Sequence, residues 1–256
     1  MATGVRKTGD FCWINILTPE PKAARDFFGK LLGWKFSMIP GIGHRVQVAG
    51  SDIGGLFDLD SPQTPKGTPP HIGVMVKVDN ADATAAKVAE LGGRAMPPFD
   101  ILFQGRMAVC FDVNGANFDL WQPKAGAGTD VDSQAIGAPS WFETMTTDVA
   151  KGRAFYESLF GWTAETMDMG EFQYTTFKLG EDYVAGMMAL TPEMTGVPPH
   201  WAVYFTVADP DATAELASGL GGTVIVPAQD VPGVGRFCGL RSPQGVVFFV
   251  IRYAEA

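Results

Sequence analysis

The chain contains itself twice. Phe27-Phe28-Gly29-Lys30-Leu31-Leu32-Gly33-Trp34 returns as Phe155-Tyr156-Glu157-Ser158-Leu159-Phe160-Gly161-Trp162. Pro70-His71 returns as Pro199-His200, Leu91-Gly92-Gly93 as Leu220-Gly221-Gly222, and Gly105-Arg106 as Gly235-Arg236. The offset stays between 128 and 130, so two copies of one fold follow each other. Such a repeat sorts residues without a second sequence. Positions that both copies share are expected to be scaffold, and positions that only one copy holds are candidates for function.

With 256 residues in all, each copy has roughly 115 to 120, enough to bury a core without disulfides or a structural metal. A net charge of −9 and the lack of any Lys/Arg-rich run argue against nucleic acid as a partner. Cys12, Cys110 and Cys238 are scattered and form no CxxC, which points to a reducing cytoplasm rather than a disulfide framework. Arg6 and Lys7 are followed by no apolar stretch, so no signal peptide is expected. The apolar run Val246 to Ile251 is too short to span a membrane.

Pro123 to Asp132 is small, polar and aperiodic and reads as a linker. The domains are expected at 8–123 and 137–254, with 124–136 between them. In copy one, Phe11 to Thr18 is aromatic and β-branched and reads as a strand. Pro19-Glu20-Pro21 ends it and opens a helix. From Ala23 to Leu32, apolar residues Ala24, Phe27, Phe28, Leu31 and Leu32 fall on one helical face, ended by Gly33. Strands follow at Arg45 to Ala49 and Ile53 to Leu59. The Pro-rich stretch Ser61 to Pro70 leads to a strand at Ile72 to Val78 and a helix at Ala81 to Leu91, capped by Asp79 or Asn80. Strands near Ala95, Met107 to Asp112 and Asn117 to Gln122 complete the copy. Each copy is therefore two βαβββ units.

Paired βαβββ units with Phe-Phe/Tyr-x-x-Leu-(Leu/Phe)-Gly-Trp after the first strand resemble the vicinal oxygen chelate superfamily. That superfamily contains glyoxalase I, extradiol dioxygenases, and fosfomycin and bleomycin resistance proteins. Further motifs of the resemblance are Trp141-Phe142-Glu143, His200 to Val207, Asp230 to Arg236 and Ser242-Pro243-Gln244-Gly245. It implies an α+β fold: two tandem glyoxalase-like domains, each a curved mixed sheet around a cavity. Fold alone does not fix chemistry.

In metal-dependent members of the family, a divalent ion is held inside each sheet by His, Gln or Glu. The resemblance carries the first ligand to Trp13 and Trp141, and the second to Val74 and Val203. It carries the last to Asp119 and Phe249, and a remaining one near Gly54 to Leu56 and Ala185 to Met187. Indole, isopropyl and benzyl groups do not coordinate such ions. Of the three histidines, His71 and His200 are one repeated position, which suggests a structural role where a strand begins. No metal and no cofactor are expected, although Asn15, Asp119 and a displaced histidine would be the residues of a rearranged site.

Strand alternation then assigns the cavity walls. With Trp13 inward, Asn15 follows it, and Asn117, Asp119 and Trp121 share a side. In copy two, Trp141 and Glu143 are expected inward together with Trp201, Phe205 and Phe249. The result is an aromatic lining with a few polar groups, the composition of a small-molecule pocket. The same large side chains could instead fill the sheet as core. Asp119 and Glu143 each occur in one copy only. Among indoles, either carboxyl could serve as general acid or base, or accept hydrogen bonds that stabilise the fold. Asp100 with Arg106, and Asp230 with Arg236, read as ion pairs across a hairpin base. No GxSxG, P-loop or GxGxxG follows a strand.

The sequence thus points to a protein that binds an apolar or aromatic small molecule in a metal-free cavity. It would sequester that molecule or transform it by acid–base chemistry. The alternatives are a metal-dependent lyase, isomerase or dioxygenase with rearranged ligands, and an interaction protein with filled cavities. A monomer or a homodimer is compatible with a tandem chain.

Overall fold

Pro21 and Gly33 frame the first helix as the sequence requires. Pro21 stands in its first turn, and Gly33 closes it with a left-handed φ of 69°. Its buried face is Ala24, Phe27, Phe28, Leu31 and Leu32. The computed structural model describes residues 4–61, 64, 66–125, 128–170 and 172–254. Parts of the Pro-rich stretch (62, 63, 65) and of the linker (126, 127) lie outside the described residues.

The first module is β1 (Phe11–Thr18), α1 (Pro21–Leu32), β2 (Lys35–Ile39), β3 (Gly43–Val48) and β4 (Ser51–Asp58). The second is β5 (His71–Lys77), α2 (Ala81–Glu90), β6 (Arg94–Ala95), β7 (Phe99–Ile101), β8 (Gly105–Phe111) and β9 (Asn117–Pro123). The third is β10 (Pro139–Thr146), α3 (Val149–Phe160), β11 (Thr163–Asp168), β12 (Gln173–Leu179) and β13 (Asp182–Ala189). The fourth is β14 (His200–Thr206), α4 (Pro210–Gly219), β15 (Thr223–Val231), β16 (Gly235–Arg241) and β17 (Val247–Tyr253). Strand β2 is absent from the sequence reading because its residues are exposed or half-buried and carry no apolar alternation. Asn80 is the cap of α2, its Oδ1 accepting from the Ala83 amide at 2.9 Å, while Asp79 instead accepts from Thr8.

The fold is α+β with two mixed sheets. One has the order β2-β3-β4-β1-β5-β9-β8-β6 with β7 on β8, and the other β11-β12-β13-β10-β14-β17-β16-β15. Each copy thus supplies one sheet. Among the described residues, no helix is long and apolar enough to cross a membrane.

Tertiary contacts divide the chain differently from its sequence. One compact unit gathers residues up to Trp13, Gly73–Gly128 and Trp141–Ala202; the other gathers Ile14–Ile72, Thr129–Ser140 and Val203 onward. Each unit joins a module of copy one to a module of copy two. In the first, Phe118 of β9 packs edge-on against Phe155, Tyr156 and Phe160 of α3. In the second, Phe27 and Phe28 of α1 pack against Phe248 of β17. From Thr129 onward the linker segment belongs to the second unit, where Thr129, Val131 and Ser133 are buried.

The repeated Gly-Trp motif does the same thing twice. Trp34 Nε1 donates to the Gly137 carbonyl at 2.8 Å within the second unit. Trp162 Nε1 donates to the Gly9 carbonyl at 3.0 Å within the first. Each motif tryptophan is therefore latched to a glycine just before the first strand of the opposite copy. That accounts for its presence in both.

Candidate functional site

The third module carries a polar cluster on the face turned away from α3. Glu143 of β10 lies opposite Gly186 of β13, and Gly186 opposite Thr176 of β12. The next row runs Met145, Met188, Tyr174, Met167. Alternation puts both rows on one face. Met187 points the other way, toward α3, so close that a Cβ on Gly152 would stand 2.9 Å from its Cε. On the cluster face the Tyr174 hydroxyl donates to Glu143 Oε2 at 2.7 Å and accepts from Trp141 Nε1 at 2.9 Å. Tyr174 leans over Gly186, where a Cβ would stand 2.6 Å from Tyr174 Cζ and 3.0 Å from Trp141 Nε1. Only glycine leaves room for this arrangement.

Glu143 is only 4% exposed, while Trp141 and Tyr174 are half-buried. A phenol bonded to a buried carboxyl at this distance is a strong hydrogen bond. Such a pair can hold or pass a proton. Sequence reasoning missed Tyr174, although the test of presence in one copy finds it: the register of copy one puts Gly43 at the corresponding place.

In copy one the corresponding place is apolar. Asn15 lies opposite Gly55. The Phe57 ring lies over Gly55, so that a Cβ there would collide with it, and the Asn15 Oδ1 is 3.5 Å from the same point. Asn15 therefore borders a packed benzyl ring.

In the first unit, Asp119 of β9 lies opposite Met75 and Val109 and is buried. Trp121 lies opposite Met107, and both Trp13 and Trp121 pack against the cluster of Cys12, Met75 and Met107. The structure thus gathers Trp13, Trp121 and the neighbours of Asp119. Asn117 sits on the same side of β9, its Nδ2 donating to the Cys110 carbonyl at 2.9 Å. Burial pushes the Cys12 and Cys110 thiols up to about 12 and Cys238 up to about 11, so all three are poor nucleophiles.

Trp201 and Phe205 require a correction. Trp201 Nε1 donates to the Tyr156 hydroxyl at 3.0 Å, and its ring packs edge-on against Phe11 and Tyr156. Phe205 packs against Trp34 and Phe248. Both are helix-side core. The register pairs Tyr204, not Phe205, with Phe249, and these two rings stack at 4.7 Å with Phe237 beside them. A one-residue slip in strand phase moves every side chain to the other face. For the same reason, Val74 and Val203 turn away from Asp119 and Phe249, and Met75 and Tyr204 take those places.

Tyr156 completes a buried network. Its hydroxyl accepts from Trp201 and donates to Asp112 Oδ2 at 2.9 Å, while Asp112 Oδ1 accepts the Asn114 and Ala116 amides. Burial pushes the Asp112 carboxyl above the usual carboxylate range, and holds the Tyr156 phenol well above its own.

The repeated arginines make the expected ion pairs across their hairpins and add a second, two-pronged partner on a helix. Arg106 makes its two-pronged bond to Asp82 of α2 at 2.7 and 2.9 Å, with Asp100 at 3.6 Å. Arg236 does the same with Asp211 of α4 at 2.6 and 2.8 Å, with Asp230 at 3.0 Å. His71 and His200 each hydrogen-bond through Nδ1 to the carbonyl two residues back, at Pro69 and Pro198. A cavity of about 420 Å³ lined by Gly33, Lys35, Gln47, Ala49 and Gly50 holds none of the candidate residues.

Donor chemistry decides whether a divalent ion fits. Among the described residues, no three His, Cys, Asp or Glu side chains gather. The positions that a metal would need carry indole, thioether, phenol and benzyl groups. Asp119 and Glu143 are the carboxyls, one in each copy. This set does not fit a divalent ion.

The fold and its repeated modules define a tandem glyoxalase-type protein. The chain belongs to the Glyoxalase/Bleomycin resistance protein/Dioxygenase superfamily, whose model matches residues 11–120 and 139–250. It is 37% identical over 249 residues to "Putative glyoxylase CFP32" of Mycobacterium tuberculosis, covering 94% of each chain. It is 38% identical over 131 residues to the anthracycline biosynthesis protein DauV of a Streptomyces species, covering 46% of this chain and 48% of that one. Among solved structures, the Mn(II)-bound glyoxalase of Novosphingobium aromaticivorans superposes with a TM-score of 0.66 at 14% identity, covering 98% of this chain and 83% of the other. That likeness is one of fold.

Proposed function

We propose that the protein binds an apolar or aromatic small organic molecule without a metal ion, on the β10–β13 face. Trp141, Tyr174 and Glu143 form the polar end of that site, and the methionines of the next row its apolar wall. One observation carries the reading. Beside Trp141, to which the resemblance carries the first metal ligand, an indole, a phenol and a carboxyl are hydrogen-bonded in sequence over Gly186. The name of the Streptomyces relative, a biosynthesis protein for a class of polycyclic aromatics, agrees with an aromatic ligand. The molecule is sequestered, or changed by a proton transfer in which Glu143 is the base and Tyr174 its partner. Asp119, beside Trp13 and Trp121, is the candidate carboxyl of copy one, at the position that Phe249 takes in copy two. The buried thiols suit a reducing cytoplasm.

Native mass spectrometry of freshly purified protein tests this against the denatured mass. A native mass equal to the chain, or to the chain plus an organic adduct, supports the reading. A stoichiometric excess matching a divalent ion overturns it, and points to a metal-dependent lyase, isomerase or dioxygenase.

A further inference from the structure

Arg25 makes no hydrogen bond or ion pair among the described residues, although its counterpart in copy two does. In α3, Arg153 meets Glu157 one turn on, through Nε at 3.3 Å and Nη2 at 3.4 Å. Glu157 Oε1 also accepts the amide of Ala164 at 3.2 Å, on the open edge strand β11. One carboxylate thus serves a helix cation and a strand edge. Copy one keeps the cation and drops the acid: an offset of 128 carries Arg153 to Arg25 and Glu157 to Gly29. The matching register puts Phe36 of β2, another open edge, where β11 has Ala164. One row further, His44 takes the place of Thr175. Thr175 is bonded to Thr166 at 2.8 Å, whereas His44 Nδ1 and Arg25 Nε are both buried without a partner. Burial, and then the charge of Arg25, hold the His44 imidazole below its ordinary value, and among the described residues no carboxylate acts on it. Orphaned buried nitrogens of this kind call for a bound anion or water.

We infer that α1, β2 and β3 of copy one form a binding site for the carboxylate of a small organic acid, which Arg25, His44 and the Phe36 amide hold in place of the group that Glu157 supplies in copy two. The inference is independent of the reading of the β10–β13 face. A guanidinium takes both oxygens of a carboxylate side by side, and His44 Nδ1 donates when it carries the ring hydrogen. Gly29 leaves the place of the missing acid open. A Cβ there would be in ordinary contact, 3.4 Å from the Trp34 carbonyl oxygen and 3.8 Å from Phe36 Cε2. The acid of copy two can therefore be put back.

The chain has three histidines, so their imidazole C2 protons give three lines by proton NMR, with His44 assigned through His44→Gln. Sodium acetate is titrated into the whole protein against sodium chloride, at constant pH and ionic strength. The expected result is a saturable movement of the His44 line while the His71 and His200 lines stay in place. Arg25→Gln, checked for fold by circular dichroism, weakens acetate binding by at least about fivefold. Gly29→Glu restores the acid of copy two, so it moves the His44 line by itself and abolishes the response to acetate. A still His44 line, equal movement of all three lines, unchanged acetate affinity in Arg25→Gln, or an intact acetate response in Gly29→Glu overturns the inference.

Discussion

Replacing Tyr156 by Phe removes one oxygen from the middle of the Asp112–Tyr156–Trp201 network. Shape is not at issue, because copy one carries Phe28 at the same place, fully buried. What is lost is polar. Asp112 Oδ2 loses the hydroxyl at 2.9 Å, and Trp201 Nε1 loses its acceptor at 3.0 Å. Asp112 Oδ1 keeps its two backbone amides. All three side chains are at most 7% exposed, so water does not readily replace the hydroxyl. A hydrogen bond to a charged group contributes about 1.5–3 kcal/mol, and a buried donor left unmade costs about 1–3 kcal/mol. Allowing for relaxation, Tyr156→Phe is expected to destabilise by about 3 kcal/mol. Urea unfolding followed by tryptophan fluorescence gives this from the midpoint at unchanged slope. In an Asp112→Asn background the same change should cost less, because the two residues share one bond. A loss below about 0.5 kcal/mol for the single variant would show that the network is satisfied in another way, and would refute the reasoning.

Three further outcomes follow from the geometry. Burial raises the Asp112 carboxyl in the folded protein, so the folded state binds the proton more tightly. Its contribution is full below the ordinary carboxylate pKa and lost as pH rises through the raised value, so the stability difference between wild type and Asp112→Asn should fall from about pH 4 toward neutrality. Denaturant melts across that range check the sign. Gly186→Ala puts a methyl into Tyr174 and Trp141, and should break the bonds from Trp141 to Tyr174 and from Tyr174 to Glu143 at a cost of about 1–3 kcal/mol, read as a lower unfolding midpoint and changed tryptophan emission. Trp34→Phe and Trp162→Phe each leave a glycine carbonyl without its buried indole donor, and should cost about 2 kcal/mol apiece and agree within about 1 kcal/mol by urea unfolding.

Much of the fold is legible in the residues because local chemistry decides it. Pro21 and Gly33 mark the ends of α1, its apolar spacing marks the buried face, and the repeat carries the same assignment to α3. Asp82 and Asp211 were equally visible, in the repeated Asp-Ala-Thr of α2 and α4. The hairpin aspartates drew attention because they lie nearer in sequence to Arg106 and Arg236. What stayed hidden depends on strand phase and on neighbours from distant strands. In β14, His200 to Val207 is nearly all apolar on both faces, so alternation gives no phase, and Trp201 and Phe205 were put on the wrong side. Glu143 could be singled out as unique to one copy. Its partner Tyr174 is reached only through the register of β12 on β13.

The reciprocal bonds of Trp34 to Gly137 and Trp162 to Gly9 change what it means to cut this protein in two. A break in the segment after Pro123 would free neither half, because each holds the other by an indole and by the helix face beside it. Expressed singly, either half would lack its glycine acceptor and present the phenylalanines of its first helix to water, so it should recover them by pairing with a second copy of itself. The tandem chain is in that sense a dimer whose two partners are fixed at equal concentration by a peptide bond. That bond also makes the halves free to differ: with the partnership guaranteed, one half can keep Gly43 and Asn15 while the other carries the phenol and the carboxyl.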